Sequence, residues 1–320
     1  MDKTRFTVIV TEPIHLSGIN YLKSEGVEVV EMPPNSIEAD LLRIVSKTDA
    51  LITRGGLKIT KEVMNASPKL KVIGVHGVGY DHIDLEAARS LGMRIFNTPT
   101  ALTDTVAEMT IALILALTRR IVSADKAVRS REWARKYVDL IGTEIMGKTI
   151  GIIGLGRIGA AVAYRLKAFK ANLAYFDVLD RSNFADELHI KRVDLDHLLR
   201  ESDIITVHVP LTPETRNLIS HREFKLMKKE TYLVNTARGK IVNQKALIES
   251  LREGRIAGAA LDVFEEEPIE PPNPLLHMDN VILTPHIAAS SLEAMKRMAV
   301  QVSEGVVKML RGETVENVIV

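Results

Sequence analysis

The chain has 320 residues, of which 46% are apolar and 26% charged, enough for two compact domains of the α/β class and too apolar for disorder. Lys and Arg total 42 against 41 for Asp and Glu, so no net field favours nucleic acid or an anionic membrane, and we expect a small-molecule partner. The absence of Cys excludes disulfides, thiolate metal sites and cysteine nucleophiles and is compatible with a cytoplasmic protein; no metal is expected.

The first third of the chain alternates short β-branched runs with amphipathic stretches. The predicted strands are TVIVTE, VEVVEM, ALITRG, LKVIGVHG and RIFNTP, and the predicted helices between them cover 14–25, 36–47, 60–66 and 84–91. Such alternation predicts βα units around a parallel sheet of about five strands. A first α/β domain is therefore expected over residues 1–99.

A long helix is predicted over 103–120, because the segment after Pro99 has no Gly or Pro and carries a continuous apolar face. Its most apolar part, 109–118, spans about ten residues, short of the roughly twenty that a membrane helix needs. The start of the chain has no apolar leader-like segment. We expect no membrane partner.

A second βα series begins at Lys148. Its predicted strands are TIGIIG, NLAYFD, DIITVHVP, TYLVNTA, AGAALDVF and NVILTPH, enough for a complete Rossmann sheet. The last segment, 290–311, is predicted to be one helix that returns to the first domain. The expected domains are thus 1–99 plus 288–320, and 100–287 inserted between them.

The glycine loop GLGRIG follows the first strand of this second series and precedes a helix-forming segment. Gly154, Gly156 and Gly159 fit the dinucleotide fingerprint, in which the helix N-terminus attracts a pyrophosphate. Asp177 ends the next strand, where a carboxylate accepts hydrogen bonds from ribose hydroxyls and repels a 2′-phosphate. NAD is therefore expected, although Arg181 leaves some NADP use open. The alternative is an ordinary βα turn with Asp177 as a cap.

Three strand ends carry residues suited to nicotinamide chemistry, which needs a proton donor or acceptor and a cationic anchor. Arg238 follows one strand, Asp262 and Glu265–Glu267 lie at the end of another, and His286 follows the last. A paired carboxylate would favour the charged imidazolium and fix the tautomer of the histidine. The residue pattern by itself does not choose among the three glutamates.

The motifs GLGRIG, HVPLT, NTARG, GAALDVFEEEP and NVILTPHIAAS appear in an order that resembles the D-isomer-specific 2-hydroxy acid dehydrogenases. GVHGVGYDHIDLEAA and NTPTALTDTVAE resemble the N-terminal half of that family. The resemblance implies a Rossmann NAD-binding domain inserted into a flavodoxin-like substrate domain, and a homodimer. It also implies three catalytic residues: Arg238, Glu267 and His286.

The same resemblance, together with the strand-end positions, gives two further sets of residues. The cofactor-binding set is Gly154, Gly156, Arg157, Ile158, Gly159, Asp177, His208, Val209, Pro210, Thr215, Thr236, Ala237, Arg238, Asp262, His286 and Ala288. The substrate-binding set is Arg54, His76, Val78, Gly79 and Arg238. Alternatives remain: a structural His208, an Asp262 that only caps its strand, and a plain turn at Val78–Gly79, whose N–H groups would otherwise form an anion nest.

The substrate expected first is D-3-phosphoglycerate, oxidised to 3-phosphohydroxypyruvate in serine biosynthesis, because phosphoglycerate dehydrogenases of the family carry an arginine at the position of Arg54. Gly55 and Gly56 depart from that pattern, so a glyoxylate or hydroxypyruvate reductase is the alternative. A nicotinamide-sensing binding protein is the alternative from another class, since the family includes corepressors that keep the fold.

Overall fold

The computed structural model describes residues 6–320; residues 1–5, which belong to the segment judged free of a leader, lie outside this part. The chain divides into two compact units. One consists of the residues up to Leu102 together with Ser290–Val320, and the other of Thr103–Ala289. Among the described residues, no helix has the length and apolarity to cross a membrane.

The strands of the first unit, β1 to β5, are Thr7–Val10, Glu28–Glu31, Ala50–Thr53, Val72–Val75 and Arg94–Asn97. Its helices α1 to α4 are Leu16–Ser24, Glu38–Ile44, Lys61–Asn65 and Leu85–Ser90. The second unit holds β6 to β12: Thr149–Ile153, Asn172–Phe176, Lys191–Arg192, Ile204–Val207, Tyr232–Asn235, Gly258–Leu261 and Val281–Leu283. Its helices α5 to α11 are Thr103–Thr118, Ile121–Arg129, Arg157–Ala168, Ser182–Leu188, Leu195–Glu201, His221–Leu226 and Gln244–Arg252. Helix α12, Leu292–Leu310, belongs to the first unit.

The first unit is a five-stranded parallel sheet in the order β2-β1-β3-β4-β5, the flavodoxin-like order. Alternate residues of its strands face two apolar clusters. Val8 and Val10 pack with Val302 and Val306 of α12, whereas Ile9 packs with Leu51 and other residues on the opposite side. The inner strands β1, β3 and β4 are buried on both faces, which is why they are almost continuously apolar rather than alternating, whereas the edge strand β2 begins and ends with exposed Glu28 and Glu31.

The second unit is a seven-stranded parallel sheet in the order β12-β11-β10-β9-β6-β7-β8. This is the Rossmann order with one added edge strand. Helix α5, predicted from its apolar face, packs on one side of the sheet through Ile111 and Ile114. The predicted α/β fold, with parallel sheets in both domains and a Rossmann domain inserted into a flavodoxin-like one, is confirmed.

Three details differ from the sequence-based prediction. Strand β8 was missed, because its two residues, Lys191 and Arg192, are exposed and charged and carry no apolar pattern. Helix α5 ends at Thr118, two residues early, because Arg120 takes a left-handed conformation. The expected domain boundaries shift by two or three residues: 100–102 stay with the first unit, where Arg297 Nε donates to the Ala101 carbonyl oxygen at 3.0 Å, and 288–289 stay with the second.

Candidate active site

His286 and Glu267 form the most distinctive pair of side chains in the second unit. Their Nδ1 and Oε2 atoms are 2.7 Å apart, and the two side chains are 48% and 36% exposed. The pair is thus partly shielded yet open on one side. A carboxylate on Nδ1 places the proton there when the ring is neutral, and it stabilises the imidazolium when the ring is charged.

The loop that carries His286 is held by Asp262, which lies directly after β11 and is fully buried. Its Oδ1 accepts hydrogen bonds from Thr284 Oγ1 at 2.6 Å and from the Ile287 N–H at 2.9 Å. Its Oδ2 accepts from the Ala288 N–H at 2.8 Å. The His286 N–H donates to the Asp262 carbonyl oxygen at 2.8 Å. Asp262 therefore positions the histidine loop.

His286 itself has a φ of 54°, in the left-handed region that side-chain-bearing residues rarely adopt. Such backbone strain persists only where the surroundings over-determine it, and it is concentrated at functional sites. The hydrogen bonds to Asp262 supply that restraint on both sides of the residue. Thr284 was not predicted to contribute; its place directly after an apolar strand was the available signal.

The structure separates the roles of the consecutive glutamates. Glu265 Oε1 accepts a hydrogen bond from the Gln244 N–H at 2.8 Å and so binds the N-terminus of α11. Glu267 Oε1 accepts from the Phe264 N–H at 3.0 Å, which aims Oε2 at His286. Glu266 is exposed.

Arg238 follows β10 in a turn that approaches the chain after β11 very closely. A Cβ on Gly239 would lie 1.9 Å from the carbonyl carbon of Phe264, so only glycine fits between the two backbones. Asn235, which is buried, donates from Nδ2 to the Arg238 carbonyl oxygen at 2.9 Å. This places Arg238 beside the loop that carries Glu267.

The charges of this cluster act on the carboxyl group of Glu267. Burial raises its pKa, but the hydrogen bond from His286, the charge of His286, the Phe264 N–H and the charge of Arg238 together lower it below the ordinary value. Glu267 is therefore ionised at neutral pH and is a standing countercharge for an imidazolium.

The glycine loop between β6 and α7 is built to receive a dinucleotide. Gly154 has a φ of +94°, and a Cβ at this position would lie 2.8 Å from the backbone of His208 after β9. Nothing lies within 4 Å of the Cβ position of Gly156, and the N-terminus of α7, which this residue caps, has no side-chain cap. Arg157, Ile158 and Gly159 form the first turn of that helix. Open space and unpartnered helix N–H groups fit a pyrophosphate.

Asp177 lies directly after β7 and is 6% exposed. Its Oδ2 accepts from the Leu155 N–H and from Arg181 Nε, both at 3.0 Å, and its carbonyl oxygen accepts from Arg192 at 2.5 Å. The acid is thus tied to the glycine loop, as ribose recognition next to a pyrophosphate requires. Arg181 was noted in the sequence, whereas Arg192 was missed with strand β8.

The remaining predicted cofactor residues of the second unit lie in loops at the same edge of the sheet. His208, Val209 and Pro210 follow β9, and His208 Nε2 is 2.9 Å from Thr206 Oγ1. Burial lowers the pKa of His208 to about 3, so its ring is neutral.

The other predicted cofactor residues of this unit are held by short hydrogen bonds. Thr215 Oγ1 donates to the Pro210 carbonyl oxygen at 2.6 Å. The Ala237 N–H donates to Asn235 Oδ1 at 3.0 Å, and Thr236 Oγ1 is 2.9 Å from Thr110 Oγ1.

In the first unit, the predicted substrate residues lie at the ends of two neighbouring strands, β3 and β4. Arg54 follows β3, and its guanidinium donates to the Pro13 carbonyl oxygen at 2.7 Å. His76 follows β4 and is 3% exposed. The His76 N–H donates to the Thr53 carbonyl oxygen at 2.8 Å, so the two residues are adjacent across the strand pair.

The loop after His76 offers backbone N–H groups. Val78 and Gly79 are partly exposed, and Asn97 Nδ2 donates to the Val78 carbonyl oxygen at 2.8 Å. The Gly77 N–H donates to Thr98 Oγ1 at 3.0 Å. Within the described chain, the Val78 and Gly79 N–H groups make no hydrogen bond of their own, which suits a small anion.

Glu12 was not predicted as part of any site. It follows β1, and its Oε1 accepts from the Gly56 N–H at 2.7 Å and the Leu57 N–H at 3.0 Å. Its Oε2 accepts from the Arg54 N–H at 2.9 Å. One carboxylate therefore shapes the turn that carries Arg54. The signal in the sequence was an acid two residues after an apolar strand.

Comparisons with known proteins identify the family of the chain. Residues 111–288 match the family described as D-isomer specific 2-hydroxyacid dehydrogenase, NAD binding domain. A glyoxylate reductase of Thermofilum pendens is 46% identical over 319 residues, covering 97% of this chain and 92% of that protein. A D-3-phosphoglycerate dehydrogenase of Methanocaldococcus jannaschii is 45% identical over 313 residues, covering 98% of this chain but 59% of that protein.

Among solved structures, the TT0316 protein from Thermus thermophilus superposes with a TM-score of 0.91 at 37% identity, covering 98% of this chain and 100% of that one. The similarity thus extends over both units rather than over the Rossmann unit alone. The chain belongs to the D-isomer specific 2-hydroxyacid dehydrogenase family, and it is an NAD-binding oxidoreductase that acts on CH–OH groups.

Proposed function

We propose that the protein transfers hydride between NAD(H) and a small 2-hydroxy or 2-oxo acid, with Arg238, Glu267 and His286 as its catalytic residues. The observation that carries the proposal is the contact of 2.7 Å between His286 Nδ1 and Glu267 Oε2, in a loop cluster where the charge of Arg238 also acts on Glu267. An imidazole oriented by a carboxylate beside a guanidinium is suited to an acid–base step on a polarised carbonyl.

The proton step is assigned to His286. Because Nδ1 is held by Glu267, Nε2 is the ring atom that gives a proton to the carbonyl oxygen during reduction and takes it from the hydroxyl during oxidation. The nicotinamide, when bound, supplies or accepts the hydride. Glu267 keeps the imidazolium countercharged while the ring holds its extra proton.

Each unit offers its own substrate-binding residues in this proposal, and Arg238 is that of the second unit. A guanidinium can grip the carboxylate or the carbonyl oxygen of a 2-oxo acid with two parallel hydrogen bonds, and it draws electron density from the carbon that receives hydride. The N–H groups of Val78 and Gly79 would bind the substrate carboxylate. Arg54 and His76 would contact the rest of the molecule.

Glyoxylate or hydroxypyruvate reduction is the first candidate for the substrate. The turn at Arg54 has its N–H groups satisfied by Glu12, and this leaves little to bind a second anionic group. The relative in Thermofilum pendens that is named glyoxylate reductase also matches over most of its length. Oxidation of 3-phosphoglycerate, and with it a role in serine biosynthesis, is the second candidate, favoured by Arg54 and by the relative in Methanocaldococcus jannaschii.

A homodimer in the cytoplasm is part of the proposal. The segment after α6 exposes a group of large apolar side chains: Trp133 (64%), Tyr137 (74%), Val138 (78%) and Ile141 (70%). Contiguous exposed apolar residues of this size favour a protein interface. Light scattering coupled to size exclusion tests the dimer, and a monomer at micromolar concentration would contradict it.

The test of the function is NADH consumption, followed by absorbance, with glyoxylate, hydroxypyruvate, pyruvate and 3-phosphohydroxypyruvate. His286→Asn removes the proton donor and is expected to lower kcat about 100-fold or more. His221→Asn is the matched control, since His221 forms an exposed histidine–carboxylate pair with Glu249 at 3.4 Å. Binding of NADH without turnover of any acid would favour the nicotinamide-sensing alternative, and full activity in His286→Asn would remove the histidine from the mechanism.

A further inference from the structure

Three polar side chains lie together at one edge of the first sheet: Glu12 after β1, Arg54 after β3 and His76 after β4. The strand order of this sheet reverses between β1 and β3. In open α/β sheets, ligands bind beyond the carboxyl ends of the strands at such a reversal. The cluster therefore occupies the position at which this unit is built to bind a small molecule.

Glu12 leaves little room for a second anion at this edge. Its two carboxylate oxygens accept the N–H groups of Arg54, Gly56 and Leu57 at 2.7 to 3.0 Å. Consecutive N–H groups of this kind form an anion site when they are free. Here an internal carboxylate fills the site and adds a negative charge to it.

The guanidinium of Arg54 also has partners within the unit. Its guanidinium donates to the Pro13 carbonyl oxygen at 2.7 Å, and a second nitrogen lies 3.7 Å from the sulfur of Met295. The guanidinium of Arg54 is thus held by Pro13 and Met295, and the charge of the Glu12 carboxylate acts on it. It is poorly placed to neutralise a phosphate by itself.

The side chain of His76 differs from those of Glu12 and Arg54, because its ring nitrogens have unused hydrogen-bonding capacity. The residue is 3% exposed, and neither Nδ1 nor Nε2 has a hydrogen-bond partner within the described chain. An unpaired buried polar group is costly, and in native proteins it calls for an explanation such as an absent ligand. One ring nitrogen can donate a hydrogen bond and the other can accept one.

The imidazole of His76 is also uncharged. Burial, and next to it the positive charge of Arg54, lower the pKa of His76 to about 4, although nearby backbone groups of His76 and Met295, which do not reach good hydrogen-bond geometry with the ring, act in the opposite direction. At neutral pH the ring therefore offers hydrogen bonds without a compensating charge for an anion. A hydroxyl group, which both donates and accepts, is the matching partner.

We propose that His76 is a specificity-determining residue whose ring hydrogen-bonds an uncharged polar group on C3 of the 2-oxo acid, as in hydroxypyruvate, and that the edge formed with Glu12 disfavours a phosphate there. The inference rests on the proposed function, because it assumes that a 2-oxo acid is the substrate. It assigns the C3 end of the substrate to His76 and the carboxylate end to the Val78–Gly79 loop.

The test compares kcat/KM for hydroxypyruvate, pyruvate and 3-phosphohydroxypyruvate with NADH. Pyruvate has the same carbon skeleton without the hydroxyl, so the ratio of hydroxypyruvate to pyruvate isolates the C3 contact. We expect the wild-type protein to favour hydroxypyruvate over both other acids. In His76→Leu the ratio to pyruvate is expected to fall about tenfold, the effect of one lost hydrogen bond in a buried site. His76→Gln, which keeps a donor and an acceptor, is expected to restore part of the ratio.

His82→Leu is the matched control. It removes a histidine of the same unit that already has a partner, with Nε2 at 3.2 Å from Thr53 Oγ1, and the ratio should stay as in the wild type. Equal wild-type activity on hydroxypyruvate and pyruvate, a preference for 3-phosphohydroxypyruvate, or an unchanged ratio in His76→Leu would each overturn the inference.

These outcomes differ from a failure of the proposed function. If the wild-type protein turned over none of the acids, the function would be wrong and the role of His76 would fall with it. If it turned them over without discrimination, only the role of His76 would be wrong. Should His76→Leu not fold, as judged by circular dichroism, the wild-type ratios and His76→Gln still decide.

Discussion

At the scale of single residues, the chemistry depends on which carboxylate faces which base. The tract Glu265–Glu267 is uniform in sequence, yet Glu265 binds the N-terminus of α11 and Glu267 contacts His286. The difference arises from the turn that follows Phe264, whose N–H holds one oxygen of Glu267. Identical side chains thus acquire different contacts within three positions, one structural and one at the proposed catalytic base.

The pH dependence follows from the lowered pKa of Glu267. A group whose pKa is lower in the folded than in the unfolded state stabilises the fold above its ordinary pKa, and this contribution is lost as the pH falls through the lowered value. The countercharge on His286 is therefore complete at neutral pH and is lost only as the pH falls below the ordinary pKa of a glutamate.

Glu267→Gln keeps the shape of the side chain and removes this countercharge. We expect kcat for reduction to fall about tenfold at neutral pH, and the pH profile to move to lower pH, because an imidazolium without its carboxylate releases its proton more readily. The measurement is kcat against pH for the wild type and the variant. Glu249→Gln, which removes the partner of His221, is the control. Superimposable profiles for Glu267→Gln and the wild type would show that the pair has no catalytic role.

At the scale of elements, the active residues share one design: each lies just past the carboxyl end of a parallel strand. Gly154, His208, Thr236, Asp262 and Thr284 directly follow β6, β9, β10, β11 and β12. Because parallel strands end at the same edge of the sheet, residues distant in sequence meet in space. Hydrogen bonds of buried polar groups, such as those that Asp262 accepts from Thr284 and Ala288, then connect these loops to one another.

Asp262 connects the loops after β11 and β12 through the hydrogen bonds that its carboxylate accepts. Removing one of its acceptor oxygens therefore tests how these loops are positioned. Asp262→Asn replaces an acceptor oxygen by a donor, so one of the Ile287 or Ala288 N–H groups loses its partner. An unsatisfied buried group costs about 1–3 kcal/mol, and we expect both a lower melting temperature and a lower kcat because the His286 loop shifts.

Asp203→Asn is the comparison for this change. Asp203 accepts from the Thr149 N–H at 2.8 Å, at the amino end of the same sheet. Calorimetry and steady-state kinetics on both variants separate stability from positioning, since Asp203→Asn should lower the melting temperature alone. If both variants kept the wild-type kcat, Asp262 would not position the histidine.

At the scale of the whole molecule, dinucleotide binding adds to stability by mass action. NADH at about 100 times its Kd contributes about 2.7 kcal/mol, which for a unit of this size corresponds to a rise in melting temperature of roughly 5 to 10 °C. We expect NADPH at the same concentration to give a smaller rise, because Asp177 repels a 2′-phosphate.

The variant Asp177→Asn tests this preference. It leaves Arg181, which pairs with the carboxylate of Asp177 at 3.0 Å, without its acid, so this guanidinium becomes available to a 2′-phosphate. Arg192 donates to the backbone carbonyl oxygen of residue 177 and keeps its partner. The gap between NADH and NADPH in thermal shift should close. A larger shift with NADPH than with NADH in the wild-type protein would contradict the role of Asp177.

The sequence by itself determined the class of fold, the insertion of one domain into the other and the family, because these depend on local patterns. Alternating β-branched runs and amphipathic stretches define parallel βα units, and the motif GLGRIG marks the dinucleotide loop wherever it follows a strand. Strand β8 was not predicted, because its two residues, Lys191 and Arg192, have no such pattern.

Only the tertiary structure decided which polar groups face each other. It separated Glu267 from Glu265, showed Glu12 bound to the turn of Arg54, and left the ring of His76 buried without a partner. Hydrogen bonds and burial are contacts between segments that lie tens or hundreds of residues apart, and their geometry is set by strand register and loop shape. No local pattern in the chain carries that information, which is why the discriminating residues of both units appear only in the folded molecule.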